Sequence, residues 1–87
     1  MTAYPAVHIN GSYQDNLFNE AHSTYHLIVQ AIISAKAGSP NSRDYPEWHA
    51  YSFHEAAVEH DKRIAALEAV ANEYYQIMAG IMGQREA

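Results

Sequence analysis

From Ala50 onward one pattern governs the chain: Ala50, Phe53, Ala57, His60, Ile64, Leu67, Ala71, Tyr74, Met78 and Ile81 recur at alternating steps of three and four. That spacing sets them along a single stripe of an α-helix, whereas a strand would send them to both of its faces. No proline interrupts the run, and its first interior glycine, Gly80, stands close to the end. Asp44 and Glu47 have the spacing of a capping box, and Pro46 would fall in the first turn, where its missing N–H costs nothing. One long helix over about 46–83 is predicted, closed by Gly83.

Upstream, Phe18, Ala21, Tyr25, Ile28, Ile32 and Ala35 mark a shorter helix over about 12–36. A second row, His22, His26, Val29 and Ile33, lies beside them, so apolar residues occupy more of the surface than one partner helix would cover. Asn10-Gly11 signals a turn, Ser12 with Asp15 resembles a capping box, and Gly38 before Ser39-Pro40 predicts a left-handed cap and a stop. The short connection from Gly38 to Arg43 requires the second helix to return antiparallel. The expected fold is all-α: an antiparallel helical hairpin domain over 12–87, preceded by an extended N-terminal arm over 1–11. The arm, with Tyr4-Pro5 and the alternating Val7 and Ile9, either packs on the helices or frays.

The two predicted helices differ in length, about 55 Å against about 35 Å at 1.5 Å per residue. Paired from the turn, they leave the last four turns of the longer one unmatched. Those turns carry Val70, Tyr74, Tyr75, Ile77, Met78, Ile81 and Met82, the expected interface of a helical-bundle homo-oligomer. The alternative is that the arm folds over them within one chain. Composition favours association: 87 residues make a small core, and the absence of cysteine removes disulfides and thiolate metal sites as staples. Seven tyrosines against one tryptophan and two phenylalanines suit wet interfaces better than a dry core.

A formal charge of −5 argues against non-specific nucleic-acid binding. No apolar run is long enough to span a bilayer, and the first ten residues lack the basic start and apolar stretch of a signal peptide, so a cytoplasmic protein without a membrane partner is expected.

Chemistry is sparse. His22 and His26 share a helix face, and with His60 and Glu59 nearby they make a His-based metal site conceivable; the plainer reading of His60 is a polar residue setting register in the core. No cysteine and no Gly-x-Ser-x-Gly turn is present, and Glu55 and Glu59 read as solvated helix carboxylates. Binding rather than catalysis is expected, without a cofactor. The candidate ligand cluster is Asn41-Ser42-Arg43-Asp44-Tyr45, where Arg43 offers a fork for carboxylate or phosphate and Tyr45 an aromatic face. The same residues can instead simply cap, pair and pack. Lys62 and Arg63, four to five turns along the long helix, would reach that cluster only across an oligomer.

His8-Ile9-Asn10-Gly11-Ser12, then Asn41-Ser42-Arg43-Asp44-Tyr45, then Glu59-His60 with Arg63 downstream, resembles a group of small helical proteins encoded in phages and prophages. Their pattern is His-x-Asn-Gly-Thr/Ser, Asn-Gly-Arg-Asp-Tyr-Tyr, and Glu-His-x-x-Arg; this chain departs from it at Ser42 and Pro46. The resemblance implies a phage accessory protein and, by analogy, an inhibitor of a host antiviral defence. Such a protein acts either by sequestering a nucleotide-type signalling ligand or by masking a host protein. A virion structural or assembly protein that oligomerises through its long helix is the alternative from another class.

Overall fold

The computed structural model describes residues 2–7 and 11–84, the Ser12 side chain excepted. The expected Asn10-Gly11 turn, the Ser12 cap and the arm residues His8 and Ile9 therefore lie outside the described residues. Two helices, α1 over Gly11–Ala37 and α2 over Phe53–Gly83, form an antiparallel hairpin joined by the segment 38–52, which contains one 3-10 turn, η1, over Ser42–Asp44. No strand occurs among the described residues, so the all-helical reading and the hairpin stand.

The second helix starts at Phe53, seven residues later than the expected start at Pro46. Ser52 caps it with a full capping box: its Oγ accepts from the Glu55 amide at 3.0 Å, and the Glu55 carboxylate accepts from the Ser52 amide at 3.2 Å. The predicted box at Asp44 and Glu47 does not form, because Asp44 is taken into η1, where its amide donates to the Asn41 carbonyl at 3.0 Å. Between the two lies 45–52, a stretch whose Tyr45, Trp48, His49 and Tyr51 are weak helix formers. Their rings pack edgewise on one another, with His49 about 6.0 Å from each of Tyr45, Trp48 and Tyr51. Ala50, the first residue of the stripe, is thus not helical.

At the other boundary Gly38 does not take the left-handed cap; among the described residues no backbone has positive φ. The end of α1 is closed by bonds that need none: the Gly38 amide donates to Ser34 and Ala35, and both the amide and the hydroxyl of Ser39 donate to the Lys36 carbonyl. Gly83, the expected stop of α2, is likewise its last residue without that conformation.

These boundaries remove the expected mismatch. With 27 and 31 residues, the helices are about 40 and 46 Å long. Gln14, in the first turn of α1, donates its amide to the Ile81 carbonyl in the last turn of α2 at 3.0 Å, and Tyr25 meets Tyr75 at 6.2 Å between ring centroids. The C-terminal turns of α2 are therefore matched by α1. The unmatched turns are those at the start of α2, around Phe53 to His60, and the connecting segment folds over them.

The arm covers the far side of the same C-terminal turns. Gln84 clasps it, accepting from the Val7 amide at 2.7 Å and donating to the Pro5 and Gly80 carbonyls, while the Thr2 hydroxyl bonds to Gln76. The Tyr4 ring lies so close to Gly80 that a Cβ there would stand 2.5 Å from two ring carbons. The close approach of a ring to the backbone is what glycine permits at this position. Held from both sides, Ile81 is 1% exposed, the most deeply buried large side chain described. Ala21, Ile64 and Ala71 complete the buried apolar core.

Candidate functional site

The late start of α2 creates a space at the loop end of the hairpin. An open cavity of about 630 Å³ lies between the connecting segment and the first turns of α2, with Gly38, Pro40, Asn41, Asp44, Tyr45, His49 and Tyr51 on one wall. Ala56, Glu59, His60 and Arg63 form the other. This volume falls within the range of small-molecule sites.

Two groups of residues far apart in sequence, 41–45 and 59–63, thereby face one space. Of the candidate ligand residues, Asn41, Asp44, Tyr45 and Arg63 all line it. Arg63 does so within a single chain, contrary to the expectation that only an oligomer would bring it near Asp44; the non-helical segment 45–52 carries the turn back along the helix. Arg43 does not line the cavity and is exposed on η1, where its backbone amide donates to the Asn41 side chain at 3.1 Å. His49 and Tyr51 are lining residues that the spacing did not reveal, because they sit in a segment read as helix; His60, expected as a metal or register residue, lines the cavity as well.

The lining mixes charges. Arg63 pairs with Glu59 one turn before it at 3.3 Å, both side chains largely exposed. Such an exposed pair contributes only about half a kcal/mol, so exchanging Glu59 for a ligand oxyanion costs Arg63 little. Asp44 adds a second carboxylate, an acceptor for N–H donors. His60 is half-buried, and its Nε2 is buried with no hydrogen-bond partner among the described residues. A buried polar atom without a partner is uncommon. Tyr45 sits against His49 and, at 6.5 Å between centroids, against Phe53, which orients its ring at the wall.

The histidine trio is not brought together. Tyr25, Val29 and Ile32 share a groove with Glu68, Ala71, Asn72 and Tyr75, so His26 lies level with about Asn72 and not beside His60. Along α2 that is about 18 Å from His60 at 1.5 Å per residue. His22 is exposed and stacks on Phe18 at 5.9 Å. Among the described residues no group of three or more His, Asp or Glu side chains is placed to hold a metal ion.

The expected oligomer residues also separate. Ile81 is consumed by the chain's own core; Tyr74, Ile77 and Met78 are half-buried; Val70, Tyr75 and Met82 remain exposed. Among the described residues no helix is long and apolar enough to cross a membrane. Comparison with protein-family models, with curated proteins and with solved structures finds no match for this chain.

Proposed function

We propose that the protein is a non-enzymatic phage accessory protein that inhibits a host defence process by sequestering a nucleotide-type ligand in the loop-end cavity. The observation that carries this reading is the convergence of 41–45 with Glu59, His60 and Arg63 around one space of small-molecule size. The ligand class follows from the wall chemistry. Tyr45, His49 and Tyr51 offer faces and edges to a planar base, Asp44 accepts from its N–H groups, and Arg63 takes a phosphate once released from Glu59. Two carboxylates against one arginine disfavour a bare anion and favour a ligand carrying both N–H donors and phosphate.

Calorimetric titration with mononucleotides, cyclic dinucleotides and ADP-ribose tests this. Binding of one class, weakened at least tenfold by Arg63→Ala and by Tyr45→Ala but little changed by Arg43→Ala, is the expected result. Failure of the parent protein to bind any of these compounds refutes the ligand reading.

One observation supports the second mode, masking of a host protein. Trp48 is 85% exposed at the tip of the ring cluster, beside the exposed Tyr51, and aromatic anchors of this kind dominate protein interfaces. A bacterial protein retained from lysate by the parent and lost with Trp48→Ala would favour masking over sequestration.

A further inference from the structure

One flank of the hairpin carries a second site that is independent of the cavity. Tyr25, Val29 and Ile32 of α1 and Ala71 and Tyr75 of α2 line a shallow groove between the helices, edged by Glu68 and Asn72. Ile33 stands one turn beyond Val29 on the same row, 56% exposed, and Tyr75 is 59% exposed.

We propose that a second copy of this chain packs along this groove, so that two hairpins form a four-helix bundle. The occupant is argued from area. Folded monomers follow a surface–mass relation that gives about 5,200 Å² for this 9.8 kDa chain, whereas the hairpin exposes 6519 Å². The excess, about 1,300 Å², is more than the roughly 800 Å² that each partner of a standard interface buries. It arises because a helix pair is a single layer, 64 × 21 × 15 Å, whereas stable domains bury two packed layers around a core. A second hairpin laid along the first supplies the missing layer, and the apolar row Tyr25, Val29 and Ile33 with Tyr75 is the seam that helix-on-helix packing requires. This places association on the flank that Tyr75 shares with α1, whereas Ile81, from the same C-terminal turns, is already buried within the chain.

Light scattering on the full chain is the first measurement. The expected mass is twice 9.8 kDa; a single-chain mass across the micromolar range overturns the proposal. Ile33→Glu and Tyr75→Glu are each expected to weaken association at least a hundredfold, returning the mass to one chain. Leu27→Glu, at a side chain 65% exposed away from the groove, is expected to leave it unchanged. The reverse pattern, dissociation by Leu27→Glu alone, overturns the assignment of the face. Should the glutamate variants lose helicity, denaturation of the parent decides: a midpoint that rises with protein concentration supports the dimer, and one that stays fixed overturns it.

Discussion

Two residues show how much of this hairpin rests on single contacts. Gln14 is buried, and its side chain satisfies a carbonyl that the last turn of α2 would otherwise leave open. Replacing it by leucine keeps the volume and leaves the Ile81 carbonyl without this donor, which costs about 1–3 kcal/mol. Thermal melting should fall by about 4–8 °C for each of those kcal/mol in a chain this small; an unchanged midpoint would mean that water serves the carbonyl equally well. Gly80 tests the arm. In an open helix, alanine would gain about 1 kcal/mol over glycine, but here the new methyl meets the Tyr4 ring. Gly80→Ala is therefore expected to lower stability and free residues 2–7 to proteolysis. With Tyr4→Ala already in place, the same change should raise stability by the ordinary helical gain.

At the level of elements, the boundary of α2 decides whether a cavity exists. Its start depends on the reciprocal bonds of Ser52 and Glu55, and Ser52→Ala should cost about 1 kcal/mol. Hydrogen exchange should then quicken first at the amides just inside Phe53, before those of the central turns. Protection lost evenly along α2 would show that the cap is not what fixes its start. The same boundary explains why the cavity was only partly legible. Asn41, Asp44, Tyr45 and Arg63 could be chosen by residue type, since planar cations, aromatics and turn acids are what a polar ligand needs. Their convergence could not, because it requires 45–52 to be non-helical, and that stretch carries no proline or glycine breaker beyond Pro46. A second helix begun at Pro46 leaves its unmatched turns at the end, whereas one begun at Phe53 leaves them at its start.

For the whole molecule, the dimension that matters is thickness. The radius of gyration is 18.8 Å, against about 12 Å for a compact chain of this length. If two hairpins pack side by side at the usual 8–10 Å between helices, the long axis still dominates, and small-angle scattering should give about 20 Å for a particle of doubled mass. A value nearly twice that of one chain would instead indicate end-to-end contact and count against the flank. The sequence by itself determined the helices and their antiparallel return, because period and turn chemistry are local and each residue carries its own share of them. Register, the clasp of the arm by Gln84, the burial of Ile81 and the meeting of Arg63 with Tyr45 were decided only in the tertiary structure. Each depends on where a helix starts relative to its neighbour, and the late start of α2 sets His26 level with about Asn72, about three turns of α2 away from His60.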